Sequence, residues 1–304
     1  MSSASKSAAR LRQERGGRPS GALKITVSYD GKDFFGSQRQ PGKRTVQGEL
    51  ERAILETVGV ELPVYLAGRT DQGVHAAGQV GSFADYRPGM ELETLRRALN
   101  ARLADDSSVQ KVERKHLGFH ARYDAAWREY RYRIWCGVRQ PLTATMTWQR
   151  ETSLDIARMA LGAEKLSGPL EMAAFAGGGE GVPWSDRRRS ARGTVRTILL
   201  ASVIGQTVTW GASSDAGSLI EIRLVADGFL PRMVRGIVGA LVEIGRGARE
   251  PEWIDELVAG GDRRLGPMNA PAHGLTLWRV GYGSDDPRDD AAGTGDGGRP
   301  TEGD

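Results

Sequence analysis

An arginine and an aspartate stand two positions apart, Arg69 and Asp71, between the glycines Gly68 and Gly73. The apolar run 62–67 leads into them and predicts a short strand. Because glycine permits backbone angles that other residues resist, we expect a tight loop that projects the carboxylate outward. A nearby guanidinium favours the ionised carboxylate. The pattern is typical either of a turn with a surface ion pair or of a carboxylate presented for chemistry.

The remaining elements of the first half must position this loop. Alternating apolar residues predict strands, and apolar residues at helical spacing predict two helices. Their order, strand–helix–strand–strand–helix–strand, suits a ferredoxin-like unit. The predicted strands are 23–29, 62–67, 79–83 and 109–114, and the helices are about 45–58, with Thr45 as its cap, and 92–103.

The second half also alternates strand and helix patterns, but the patterns are less regular. No internal sequence repeat is clear enough to prove duplication. The patterns predict strands at 129–135, 195–200, 207–210, 218–225 and 275–282, and helices at 154–166, 229–244 and 252–259.

Composition favours an ordinary globular protein. The chain has 304 residues, 39% hydrophobic and 26% charged, which is enough for two domain-sized halves. No apolar run reaches the ~20 residues of a membrane helix, and the N-terminus lacks the apolar core of a secretory signal. A single cysteine, Cys136, excludes an internal disulfide, and the four histidines have no zinc-type spacing. We expect a cytoplasmic protein without a membrane segment or structural metal.

Charge is distributed unevenly along the chain. Residues 1–20 carry a net +4 and residues 284–304 a net −5, so the total of +4 leaves +5 for the body. A mildly basic body is compatible with a nucleic-acid partner. Both ends are polar, and we expect a disordered basic arm at 1–20 and a disordered acidic tail at 284–304.

The nine residues GRTDQGVHA, from Gly68 to Ala76, resemble the signature of the tRNA pseudouridine synthase A family. Four more segments match that family in order and spacing, so the resemblance covers about residues 22–283. These segments are Tyr29–Gln40, Gly118–Tyr132, Asp227–Gly239 and His273–Tyr282.

The resemblance implies an α+β fold with two ferredoxin-like halves, 21–125 and 126–283, sharing a continuous, mainly antiparallel sheet with a central cleft. It implies an isomerase that converts uridine to pseudouridine at positions 38 to 40 of the tRNA anticodon stem-loop. It also implies a homodimer in which one tRNA touches both subunits. This isomerisation needs no cofactor.

The same resemblance makes Asp71 the catalytic carboxylate. Pseudouridine formation breaks the bond from C1′ to N1 of uracil, turns the base and rejoins it through C5. The carboxylate either attacks C1′ or takes a sugar proton, and the sequence does not distinguish the two. Tyr130 aligns with the family's active-site tyrosine, which would stack on uracil and relay the C5 proton. By itself, Tyr130 is also typical of an aromatic in a half-buried strand.

Arg235 aligns with the family's site arginine, which is expected to pair with Asp71. An arginine in an apolar helix also predicts a buried ion pair on general grounds, since an unpaired charge there is costly. Arg69 would hold RNA phosphate or help to flip the base, or else brace the loop. The densest basic cluster is expected either to bind RNA phosphates or to be a solvated charge run. It comprises Arg187, Arg188, Arg189 and Arg192.

Three positions depart from the family pattern. Ser37 stands where tryptophan is common, Asp227 where asparagine is common, and Arg232 where histidine is common. The alternative function is a catalytically silent tRNA-binding protein or chaperone on the same fold. A glycoside or nucleoside hydrolase using Asp71 is a further rival, and it would release free uracil.

Overall fold

The structure, a computed structural model, describes residues 19–177, 193–209 and 216–288 of the chain. Within these ranges ten strands form one sheet, with five α-helices. The strands are β1 Gly21–Tyr29, β2 Tyr65–Leu66, β3 His75–Asp85, β4 Ser107–Lys115, β5 Ala125–Cys136, β6 Trp148–Arg150, β7 Gly168–Glu171, β8 Val195–Thr209, β9 Ala216–Ala226 and β10 Leu275–Tyr282. The helices are α1 Val46–Val58, α2 Leu92–Asn100, α3 Ile156–Glu164, α4 Met233–Gly245 and α5 Trp253–Gly260.

The strand order is β4-β1-β3-β10-β5-β9-β8-β7, with β2 added to β3 and β6 to β5. Neighbours are antiparallel except at two short parallel pairings, β10 with β3 and β5 with β6. The predicted α+β class, with a continuous and mainly antiparallel sheet, is therefore confirmed. The last strand, β10, lies between β3 of the first half and β5 of the second, so it joins the two halves.

Burial alternates along β1 and along the middle of β5, which separates the two faces of the sheet there. On β5, Tyr130, Tyr132 and Ile134 belong to the main core together with side chains of all five helices. Arg131 and Arg133, at the intervening positions, lie on the opposite face. The face that carries Tyr130 is called the helix-bearing face below.

Two predicted elements are shorter in the structure. The run 62–67 forms only the two-residue β2, since Pro63 has no amide hydrogen for the ladder. The helix predicted at 229–244 begins at Met233, because Arg232 has a φ of 58°, in the left-handed region. Conversely, the two strands predicted at 195–200 and 207–210 are one strand, β8, over the described residues.

Other predicted elements are present with small shifts at their ends. Helix α1 begins after Thr45, whose side chain accepts a hydrogen bond from the amide of Gly48. The final strand, 275–282, has the predicted ends.

Residues 284–288 pack along the sheet. The Pro287 carbonyl accepts hydrogen bonds from Arg223 and Arg279, each at 2.8 Å. The rest of the predicted acidic tail and residues 1–18 lie outside the described ranges. In those ranges no helix is both long and apolar enough to span a membrane.

Candidate active site

The Asp71 loop leaves the sheet near its centre. Both β2 and β10 pair with the same edge of β3: β2 meets Gly81 and Ser82, and β10 meets His75 and Ala76. Residues 67–74 therefore emerge where these two short pairings meet. This position places the loop at the junction of the two halves.

Hydrogen bonds from β1 and the following loop hold the residue before Asp71. The amide of Thr70 donates to Ser37 Oγ at 2.8 Å, and the Ser37 amide donates to the Thr70 carbonyl at 3.0 Å. The Tyr29 hydroxyl lies 2.8 Å from Thr70 Oγ1. Burial raises the pKa of Tyr29 to about 12, so its phenol stays protonated. Gly73, with a φ of 79°, supplies the left-handed turn that follows.

Two further side chains brace the ends of the loop. Gln79 holds Gly68 from both sides: its Nε2 donates to the Gly68 carbonyl at 2.9 Å, and its Oε1 accepts from the Gly68 amide at 3.2 Å. The His75 Nε2 lies 2.9 Å from the Thr145 carbonyl and 3.1 Å from the His273 carbonyl. Two carbonyl neighbours require the proton on Nε2. His75 thus links the loop to the second half of the chain.

Arg235, in the first turn of α4, contacts Asp71. Its Nη1 donates to Asp71 Oδ2 at 3.2 Å, and its Nε donates to the Ala270 carbonyl at 2.6 Å. Ala270 donates its own amide to the Arg235 carbonyl at 3.0 Å. The Asp71 side chain is 38% exposed and that of Arg235 is 18% exposed. The predicted pairing is present, and the carboxylate remains open to solvent on one side.

The position of Ala270 depends on close packing between α4 and the segment that precedes Ala270. A Cβ built on Gly239 would overlap the carbonyl oxygen of Met268, so only glycine fits at this position. The segment that leads to Ala270 therefore lies directly against the helix. Arg235 is held from behind by backbone rather than by a second carboxylate.

Tyr130 lies under the loop. Its side chain is 6% exposed, and its hydroxyl is 3.5 Å from the Arg69 carbonyl, at the long limit of a hydrogen bond. The ring of Phe229 meets it edge to face, with centroids 5.0 Å apart. Burial, followed by the charges of Tyr29 and Asp71, raises the pKa of Tyr130 far above its ordinary value. The phenol is therefore a proton donor at neutral pH.

Of the basic residues predicted to bind RNA, only Arg69 lies within the described part of the chain. Arg69 is exposed, and its guanidinium has no ion pair or side-chain hydrogen bond among the residues described. The predicted RNA-binding cluster lies outside the described residues. It comprises Arg187, Arg188, Arg189 and Arg192.

The departures from the family pattern have different surroundings. Ser37 is 1% exposed and braces Thr70, so it is part of the loop support. Asp227 Oδ1 accepts from the Thr197 amide at 3.1 Å, which ties β9 to β8. Arg232 is exposed at the start of α4, beside Gly177.

Arg128 is a supporting residue that the sequence interpretation missed. Its guanidinium donates to four carbonyls, on Ala67, Arg122, Ala125 and Asp227. It therefore connects the start of the Asp71 loop with the chain that leads into β5 and with the residue that follows β9. Burial lowers its pKa below the usual arginine range. Its position in the sequence could have indicated this role. Arg128 precedes Tyr130 by two residues, and side chains two apart on a strand lie on the same face.

Among the described residues no group of three or more His, Cys, Asp or Glu side chains is placed to hold a metal ion. The chemistry that the arrangement offers is that of one partly exposed carboxylate. A guanidinium and a buried phenol stand beside it.

Comparison with known proteins identifies the family. A family model described as tRNA pseudouridine synthase matches residues 25–124 and 178–283. A relative named tRNA pseudouridine synthase A from Geobacillus kaustophilus is 40% identical over 263 residues, covering 86% of this chain and 94% of its own.

Relatives of the same name give similar values. That from Shouchella clausii is 41% identical over 84% of this chain and 92% of its own, and that from Chloroflexus aurantiacus is 38% identical over 86% and 88%. A solved structure of an unknown protein from Galdieria sulphuraria aligns with a TM-score of only 0.19 at 11% identity, a likeness too slight to inform the fold. On the family match and these relatives, the chain belongs to the tRNA pseudouridine synthase family.

Proposed function

We propose that this protein isomerises uridine to pseudouridine at positions 38 to 40 of the tRNA anticodon stem-loop, with Asp71 as the catalytic carboxylate. The supporting observation is the Arg235–Asp71 contact in a loop that is braced on both sides. The names of its relatives support the reaction class. The anticodon positions rest on the family resemblance.

Asp71 begins the reaction at the ribose. It either attacks C1′ as the bond to N1 breaks or removes a sugar proton that leads to the same cleavage. The freed uracil turns, and its C5 bonds to C1′ as the bond from Asp71 to C1′ breaks or, on the second route, as the sugar regains its proton. The proton on C5 leaves and N1 gains one, so the overall reaction is an isomerisation. Arg235 holds the carboxylate in position through a charge-assisted hydrogen bond.

Tyr130 has two roles in this proposal. Its ring packs against the uracil while the base turns. Its hydroxyl, which stays protonated, takes part in loss of the C5 proton only as a relay that gives up one proton as it receives another. The raised pKa of Tyr130 disfavours a phenolate base.

RNA is held by basic side chains outside this centre. The exposed Arg69 guanidinium contacts a phosphate or occupies the space of the uridine as it leaves the helical stack. The cluster of Arg187, Arg188, Arg189 and Arg192 neutralises further phosphates. We also propose a cytoplasmic homodimer on the family resemblance. Light scattering that gives a monomer mass would remove the dimer.

The test is to map the modified position. Purified protein is incubated with tRNA transcripts that carry uridine at one of positions 38, 39 or 40 and cytidine at the other two. Carbodiimide labelling and primer extension then locate pseudouridine. We expect a reverse-transcription stop at the uridine position and none with the Asp71→Asn variant.

Two other outcomes would contradict the proposal. Tight binding of tRNA without any stop would support the silent RNA-binding function. Free uracil detected by chromatography would support a hydrolase.

A further inference from the structure

A second concave site lies on the helix-bearing face, beside the Asp71 site. It is an open cavity of about 480 Å³ between the chain segment 137–151, which includes β6, and the segment 271–273. The side chains that matter here are two arginines, a histidine, a tryptophan, a proline and one carboxylate. They are Arg139, Arg150, His273, Trp148, Pro271 and Glu151.

The two arginines have no carboxylate partner within the part of the chain that the structure describes. Arg139 is exposed. The Arg150 guanidinium lies 5.0 Å from the centre of the Trp148 ring, which fixes its direction. The Arg150 Nε is buried and has no hydrogen-bond acceptor among these residues. A buried donor without an acceptor is costly, so an anion bound to the Arg150 guanidinium would offset part of that cost.

The segment 140–149, which forms one wall of the cavity, is held by hydrogen bonds within itself. The Gln149 Oε1 accepts from the Gln140 amide at 2.8 Å, and its Nε2 donates to Thr147 Oγ1 at 2.5 Å. Thr147 Oγ1 in turn donates to the Thr143 carbonyl at 2.8 Å. The segment that presents the arginines is thus ordered before any ligand arrives.

The cavity and the Asp71 site share one wall. Ala270 accepts from Arg235 on one side of this wall, and Pro271 and His273 line the cavity on the other. Trp148 stands opposite Ile134 on β5, four residues from Tyr130. At the usual strand rise this separation is roughly 13 Å. The cavity is therefore within reach of an RNA strand whose uridine lies at Asp71.

We propose that this cavity binds a backbone phosphate of the RNA strand that carries the target uridine. Arg150 and Arg139 are the donors, since the guanidinium fork matches two phosphate oxygens. Glu151, exposed at the rim, opposes this charge. The proposal rests on the proposed function, because it takes RNA as the ligand. It adds a positioning subsite outside the catalytic residues.

The test measures binding of an unmodified tRNA transcript to full-length protein in the Asp71→Asn background, which prevents turnover. The dissociation constant is measured at several salt concentrations. Arg150→Gln is expected to weaken binding roughly tenfold and to reduce the slope of log K against log salt by about 0.7 to 0.9, the value for one lost phosphate contact. Arg150→Lys keeps the charge and should keep most of the slope.

Two variants serve as matched controls. Lys111→Gln removes one charge from β4, at the far end of the sheet, and should leave the slope unchanged. Glu151→Gln removes the opposing carboxylate and should tighten binding. Arg139→Gln, at an exposed position, supplies the same test if Arg150→Gln does not fold.

Three results would overturn the subsite. The first is an unchanged slope for tRNA binding by folded Arg150→Gln and Arg139→Gln. The second is an equal loss of slope in Lys111→Gln. The third is weaker tRNA binding by Glu151→Gln. Failure of the Asp71→Asn protein to bind tRNA at all would instead contradict the proposed function, and the subsite with it.

Discussion

Arg235 and Asp71 are 164 residues apart in sequence and 3.2 Å apart in the structure. The aspartate belongs to a loop of the first half and the arginine to a helix of the second. The contact therefore links the loop between β2 and β3 to the helix that follows β9. Ala270 fixes the arginine from behind through two hydrogen bonds.

Replacement of Arg235 should reduce turnover without unfolding the protein. Arg235→Gln removes the charge beside Asp71, and we expect a fall of roughly 10²-fold in the single-turnover rate of pseudouridine formation. Arg235→Lys should recover little of this rate, because a lysine ammonium lacks the planar guanidinium that bonds Asp71 and the Ala270 carbonyl at once. Arg246→Gln, at the other end of α4, is the control. A rate for Arg235→Gln within twofold of wild type would show that the pair is structural only.

Tyr130→Phe separates the ring from the hydroxyl. The ring contact with Phe229 survives, so we expect unchanged tRNA affinity. Loss of the proton relay should slow loss of the C5 hydrogen by about 10²-fold or more. Because burial raises the pKa of Tyr130, the wild-type rate should show no tyrosine inflection below about pH 10. Equal rates for Tyr130→Phe and wild type would exclude the relay.

Ser37→Ala tests the loop support. The variant leaves the Thr70 amide, on a residue 7% exposed, without its acceptor. We expect the free energy of unfolding to fall by about 1–3 kcal/mol, with a lower turnover rate. Ser202→Ala, on β8 and partly exposed, should change neither quantity. Denaturant unfolding measures the difference, and equal stability of Ser37→Ala and wild type would argue against the brace.

His273 should make stability depend on pH. Burial, followed by the charges of His75 and Arg235, lowers the pKa of its imidazole below the ordinary value of 6.5, although the Thr147 backbone opposes the shift. The unfolded chain therefore binds a proton at a pH where the folded protein does not. Stability falls as the pH drops through 6.5, and the loss ends below the folded pKa.

His273→Gln removes this titration. Its free energy of unfolding should change less than that of wild type between about pH 7.5 and pH 5. Denaturant curves at the two values provide the comparison. A steeper pH dependence in the variant would mean that the sign of the shift is reversed.

Local signals in the sequence predicted much of the fold. Alternation along 23–29 and helical spacing along 45–58 are confirmed because β1 and α1 each bury one face. The strand at 275–282 has the predicted ends. The start of α4 was predicted too early, at 229. Apolar residues continue the pattern there, while the backbone of Arg232 leaves the helical region.

Contacts between distant segments were harder to predict. The Asp71 loop and its pairing with Arg235 followed from the motif and from the cost of an unpaired charge. The four carbonyls that Arg128 joins belong to distant segments and carry no local pattern. Ser37 was noted as a departure, but its bond to Thr70 depends on how two loops pack.

The most direct test of the central claim measures release of tritium from tRNA that carries 5-tritiated uridine. Bond formation at C5 expels that hydrogen, so release counts turnovers. We predict release by wild type in step with pseudouridine formation, and at least about a 10³-fold slower rate for folded, tRNA-binding Asp71→Asn. Release by Asp71→Asn at a rate close to that of wild type would contradict the assignment of Asp71 as the catalytic carboxylate.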